Sequence, residues 1–209
     1  MYTPSAFRND DRHAAYDFID SCGFAALVTA EAGETLITHL PMTVDRERGA
    51  LLGHMARANP HASRIEGRRC AAVFLGPNAY VSPDWYDDAT QVPTWNYIAA
   101  HVEGIGRPIE DPAEVDAVLS GLSNIHEHRR RDLDTGKLWR LEKLPAEKLR
   151  RMRAAIVVFE IIADRIELKE KLSQNKSAGE RERIRLKLAS GGEMQQAVAA
   201  AMSVVKRPS

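Results

Sequence analysis

The chain has 209 residues, 44% hydrophobic and 28% charged, with Lys+Arg and Asp+Glu both at 29 and a formal net charge of zero. This supplies a core for one compact domain, or a core domain with a helical appendage, and excludes a strongly cationic nucleic-acid coat or a polybasic membrane binder, though not a local basic patch. Two cysteines, Cys22 and Cys70, are too few for a disulfide scaffold or a four-cysteine zinc site. No apolar run approaches the roughly 20 residues of a membrane span, and the opening Met1-Tyr2-Thr3-Pro4-Ser5-Ala6-Phe7-Arg8 has no apolar signal core, so a soluble, cytoplasmic protein is expected.

In chain order, residues 11–21 place Ala14, Ala15, Phe18 and Ile19 at helical spacing, and Cys22-Gly23 supplies a stop. Residues 24–30 read as a strand, Ala32-Gly33-Glu34 as a turn, and 35–42 as the returning strand. Pro41 lacks an N–H and belongs at a strand edge, bulge or end. After the turn Asp45-Arg46-Glu47-Arg48-Gly49, residues 50–55 form another strand, and Asn59-Pro60-His61 is expected to open a short helix. Residues 69–75 and 79–82 suggest a hairpin around Gly76-Pro77-Asn78. Residues 94–105 are the longest strand candidate, with Trp95, Tyr97, His101 and Glu103 on one face and Ile98, Ala100, Val102 and Gly104 on the other, a division that suits a barrel wall.

The second half reads as helices over 111–125 and 145–154, a strand at 156–162 apolar on both faces, and two closing helices around Ser190-Gly191-Gly192. Short turns between strands point to an antiparallel barrel and not to a doubly wound sheet. Charge is uneven: residues 126–153 carry ten Lys/Arg against five Asp/Glu, and 165–187 carry eight against four. Such stretches are either solvated helix faces or a surface for a phosphate-bearing partner.

Three segments carry chemistry. In Leu52-Gly53-His54-Met55-Ala56-Arg57-Ala58-Asn59-Pro60-His61 a strand ends, a cation follows and a helix is expected to begin. That combination makes either a phosphate site or an ordinary corner with a surface arginine. Tyr80-Val81-Ser82-Pro83-Asp84-Trp85-Tyr86 and Pro93-Thr94-Trp95-Asn96-Tyr97 concentrate rings that either stack on a flat ligand or anchor a subunit interface. Lys169-Glu170-Lys171-Leu172-Ser173-Gln174-Asn175-Lys176-Ser177 offers amides, hydroxyls and charge, as a ligand-binding segment or as a polar turn.

With the opening Met1-Tyr2-Thr3-Pro4-Ser5-Ala6-Phe7 and Val92 before Pro93, these stretches resemble the PaiB family, described as negative transcriptional regulators built on an FMN-binding split barrel. The resemblance implies a mainly β (α+β) fold: an antiparallel split β-barrel with peripheral helices over residues 1–170, including inserted helices at about 111–154, and a helical C-terminal extension over 171–209. It also implies a homodimer with FMN in a groove between subunits. Carried over by position, His39, Leu40 and Pro41 would approach the isoalloxazine edge. Met55 belongs to the same stretch, and Arg57 with the N–H groups from Asn59 to His61 would meet the phosphate. Trp95, Asn96 and Tyr97 would line the groove, and Lys171 with Gln174 would close it.

Other signals are weaker. His126-Glu127-His128 lacks the i, i+4 spacing of a helical metal pair, His39, His54 and His101 have no visible reason to converge, and no metal site is expected. Gly104-Ile105-Gly106 lacks the third glycine of a dinucleotide fingerprint. The last helix, with only Gln195 and Gln196 to read bases and no arginine before Arg207, reads as a packing helix, so any DNA contact falls to basic region 129–153. Three functions follow: an FMN-binding repressor, an FMN-dependent oxidoreductase with His39 and His101 as the acid–base candidates, or an empty barrel serving as an interaction module.

Overall fold

A computed structural model describes residues 1–31, 33–88, 90–132 and 137–205. Ala32 of the expected turn, residues 133–136 of the basic region and Arg207 lie outside them. The elements are β1 (Arg8–Asn9), α1 (Arg12–Cys22), β2 (Phe24–Glu31), β3 (Glu34–Asp45), β4 (Ala50–Ala56), β5 (Arg69–Val81), β6 (Thr94–Ile109), α2 (Pro112–His128), α3 (Ala146–Ala154), β7 (Ile156–Lys171), α4 (Ala178–Ala189) and α5 (Glu193–Val204). The seven strands form one antiparallel sheet in the order β1-β7-β4-β3-β2-β5-β6, and a further β6–β7 pairing closes a circuit of six of them. Closure removes the free sheet edges that would otherwise template aggregation. The fold is the expected split barrel with peripheral helices.

The chain folds as two compact units, one of Ile19–Val73 and Val102–Arg165, the other of Met1–Phe18, Phe74–His101 and Ile166–Ser209. In the first, β2 and β3 pair from Phe24↔Pro41 to Glu31↔Glu34, and β4 runs against both β3 and β7. Leu27, Leu40, Met42, Leu51, Met55, Val102, Phe159 and Ile161 fill its interior. Gly104 is needed for packing: a Cβ there would lie 2.0 Å from the Ile162 carbonyl oxygen, so the strands cross too closely for a side chain. Helix α2 starts as its sequence demands, with the Asp111 carboxylate accepting from the N–H groups of Ala113 and Glu114. It buries Val118 and Leu122 against Ile109 and Val158.

In the second unit, β1 pairs with the end of β7, Arg8 opposite Lys169. Helices α4 and α5 form a hairpin that buries Ile184, Leu188, Val198, Ala199 and Met202. Ser177 and Glu180 make a reciprocal capping box on α4. The Arg181 guanidinium donates to the carbonyls of Met202 and Val205, satisfying the end of α5. The last helix is therefore a packing helix, as its composition suggests.

Three expectations are corrected. The hairpin around Gly76-Pro77-Asn78 does not form, and β5 runs unbroken from Arg69 to Val81. Gly76 serves there as clearance, since a Cβ would stand 2.7 Å from the Phe18 ring. The helix expected at Asn59-Pro60-His61 is a turn followed by a three-residue 3-10 segment, Ala62–Arg64. Strand β7 extends well past residue 162, to Lys171. Its charged half is held in part by ion pairs across strands: Arg69 binds Asp164 and Glu103, and Arg165 also approaches Glu103.

Candidate functional site

In the first unit, strand alternation divides His39-Leu40-Pro41. Leu40, 3% exposed, points into the core beside Met55 at 4%, whereas His39 faces outward. The His39 ring lies nearly parallel to Phe24 of the paired strand, with centroids 6.4 Å apart and planes 20° apart. Phe24 is 55% exposed and Ile37 60%, so this outer strand face presents ring and aliphatic surface to water.

Arg57, exposed, follows β4. Its main-chain N–H donates to the Ala155 carbonyl, its Nε to that of Ala154 at 2.9 Å and its Nη2 to that of Ile156 at 2.8 Å. The guanidinium thus ties the end of β4 to the start of β7 while its other donors remain for an anion. Arg57 also borders a cavity of about 310 Å³ walled by Ile109, Pro112, Val115, Ile156 and Val158, with Arg153 at its side.

Asn59 and His61 do something different. The Asn59 Oδ1 accepts from the His61 N–H at 3.0 Å, and its Nδ2 donates to Thr38 Oγ1 at 3.2 Å. His61 is 1% exposed, with Nδ1 2.9 Å from Thr38 Oγ1 and Nε2 3.1 Å from Thr29 Oγ1. A neutral imidazole accepts at one nitrogen and donates at the other, which two hydroxyls match, and burial pushes its pKa below the ordinary value of 6.5. Both side chains are spent on holding the turn. With only a three-residue 3-10 segment following, the turn has no α-helix terminus to offer a phosphate.

In the second unit, Trp95 is 53% exposed and stands edge-on to Tyr80, centroids 6.1 Å apart and planes at 73°. Tyr97, two residues along the same strand face, carries the Lys169 ammonium 5.1 Å from its ring centre. Asn96 faces the other way and is buried, its amide and the Ser173 hydroxyl each donating to the other at 3.0 and 3.1 Å. Gln174 is buried and folds onto its own loop, accepting from the Leu172 N–H at 2.7 Å and donating to the Glu170 carbonyl.

Lys171 donates to Thr94 Oγ1 and to the Trp95 carbonyl, each at 2.5 Å. Burial, and then the charges of Lys169 and Lys176, hold its pKa below that of an ordinary lysine. Lys176, passed over in the sequence although it belongs to the same segment, donates to Gln91 Oε1 and lies 4.5 Å from the centre of the Tyr86 ring. Its signal in the sequence was its place five residues after Lys171 across a Ser-Gln-Asn loop. The loop brings the two lysines to one cavity because Ser173 adopts φ +61°, a left-handed conformation that a non-glycine residue rarely takes.

The basic region is partly consumed by the fold. Arg129 caps the end of α1 through the carbonyls of Asp20 and Ser21, Arg130 pairs with Glu127 and Asp132, and Arg153 pairs with Asp116. Lys148, Arg150 and Arg151 of α3 are exposed. Among the described residues no helix is long and apolar enough to cross a membrane.

Residues 1–165 match the model of a family described as "Putative FMN-binding domain". The protease synthase and sporulation protein PAI 2 of Bacillus subtilis (strain 168) is 32% identical over 180 residues, covering 85% of this chain and 84% of that protein. Among solved structures, the FAD and heme binding protein of Mycobacterium smegmatis superposes with a TM-score of 0.62 at 18% identity, covering 88% of this chain and 80% of that one. A flavocytochrome of Azotobacter vinelandii gives 0.55 at 14%, covering 78% and 69%. At such identities the two structures establish the shared fold.

Proposed function

The chain belongs to the PaiB family of FMN-binding-domain proteins, and from that membership we propose that it binds FMN as a homodimer and acts as a negative transcriptional regulator. One observation carries the cofactor: large rings stand open on strand faces, Trp95 with Tyr80 in one unit and Phe24 with His39 in the other. Exposed flat apolar surface of this kind is costly in water and suits a planar heterocycle or a second copy of the chain.

The residues fit a flavin. A cation with unspent donors, Arg57, suits its phosphate. Trp95 and Tyr97 offer ring surface to its heterocycle, and His39 and Pro41 belong to the outer β3 face. Leu40 and Met55 act by filling the core behind that face, and Asn59 and His61 by fixing the turn that presents Arg57. When bound, the flavin supplies electron-transfer chemistry that no side chain provides.

The second copy is proposed to cover the Phe24–Ile37–His39 face. DNA contact is assigned to the phosphates of a duplex meeting Lys148, Arg150 and Arg151 on α3. The protein's own promoter should bind more tightly than random duplex across a salt series. Equal affinity at every salt concentration would contradict direct repression. A second reading, an FMN-dependent oxidoreductase, is favoured by the imidazole of His39 exposed on that face; catalytic bleaching of bound flavin by reduced nicotinamide would support it.

A further inference from the structure

We propose that the cavity between the β7–α4 loop and the segment before β6 is a binding site for a small organic oxyanion, a carboxylate or phosphate ester on a single-ring body, separate from the flavin surface at Trp95 and Tyr97. Asn96 and Lys171 thus serve this site and not the flavin groove they were expected to line and close. The proposal goes beyond the flavin reading and does not rest on it. The cavity has a volume of about 220 Å³ and is bordered by Phe7, Tyr86, Val92, Asn96, Lys171 and Lys176, with Thr94, Gln91, Ser173 and Asn175 completing it. That is below the ~300–1,000 Å³ of sites for larger ligands, so it has room for one ring and not for a flavin.

Its charge is one-sided. Two ammonium groups border it, a third, Lys169, acts on Lys171 from nearby, and none of the ten residues around it is acidic. The neighbouring Asp88 acts on Lys176 through its charge, but its carboxylate takes its hydrogen bonds from the N–H and hydroxyl of Thr90 and from the Gln91 amide and does not line the cavity. Lys171 spends two of its N–H groups on Thr94 and Trp95 and Lys176 spends one on Gln91, so each ammonium retains a donor. Lys169, Lys171 and Lys176 repel one another in a partly buried space whose walls hold no acid, Asp88 being the nearby carboxylate that acts on Lys176 from outside them, and an anion in the cavity relieves that repulsion. Phe7 and Tyr86, beneath the two ammonium groups, supply flat apolar walls. Lysines act as point charges and not as bidentate forks, so they accept either a carboxylate or a phosphate.

The test is calorimetric titration of the full chain with benzoate, phenyl phosphate, inorganic phosphate and, as the uncharged control, benzyl alcohol. At least one of the two aromatic anions should bind at least tenfold more tightly than benzyl alcohol; which of them binds better distinguishes carboxylate from phosphate ester, and inorganic phosphate alone should bind more weakly than the better one. Lys176→Gln, and Lys171→Met where it folds, should each weaken that binding tenfold or more. Lys187→Gln, an exposed charge that does not border the cavity, should leave it unchanged. Saturating FMN should not displace the anion. Equal binding of anion and alcohol, undiminished binding in Lys176→Gln, or competitive displacement by FMN would each overturn the proposal. The flavin reading stands or falls separately, on FMN binding itself.

Discussion

Two loops of this protein carry the same kinds of side chain and do opposite things with them. The turn after β4 closes on itself: Asn59, His61, Thr29 and Thr38 satisfy one another, and His61 is sealed from water. The loop after β7 leaves two lysines beside a cavity with donors unspent and no acid among its walls. Polar residues in a family motif thus mark a ligand only where hydrogen bonds remain to be made; where they are complete, the motif records a structural requirement.

The largest effect should follow from breaking the closed turn. His61→Ala removes a buried ring and strands two hydroxyls, and is expected to cost about 3 kcal/mol in urea unfolding, with Thr38→Val costing less, about 1–2 kcal/mol. Lys176→Gln, at the open loop, should stay within about 0.5 kcal/mol of the parent. Equal losses at the two loops would erase the contrast.

Acid sharpens it further. Because burial lowers the folded-state pKa of His61 from 6.5, the unfolded chain takes up a proton that the folded chain refuses once pH falls below that value. Stability contributed by neutral His61 is therefore complete above pH 6.5 and lost progressively below it, and the pH dependence over that window should flatten in His61→Gln. The open loop should report in the other direction of the scale. After reductive methylation with labelled formaldehyde, the Lys171 resonance should titrate at lower pH than an ordinary lysine, and addition of phenyl phosphate should raise it. A Lys171 resonance that titrates with the others would remove the electrostatic basis of the contrast.

The barrel was legible because alternation is a local property. The two faces of β6, the Asp111 cap of α2 and the packing character of α5 can each be read from a few adjacent residues. What was not legible depends on partners far along the chain. Gly76 looks like a turn until Phe18 is seen against it, and the charged end of β7 looks like a loop until Arg69 and Glu103 are seen across from it. The same limit applied to the site. Trp95, Asn96 and Tyr97 are adjacent in sequence, yet the strand turns Asn96 inward to Ser173 and leaves the two rings on the opposite face. Nothing local showed that His61 had two threonines waiting for it.

Titration of FMN with the purified chain, followed by quenching of flavin fluorescence, tests the central assignment most directly. The account predicts saturable quenching that weakens at least tenfold in Arg57→Ala and is blunted in Trp95→Leu, with both variants folded. Flavin that stays as bright as in buffer across the titration, or quenching indifferent to both substitutions, would contradict it.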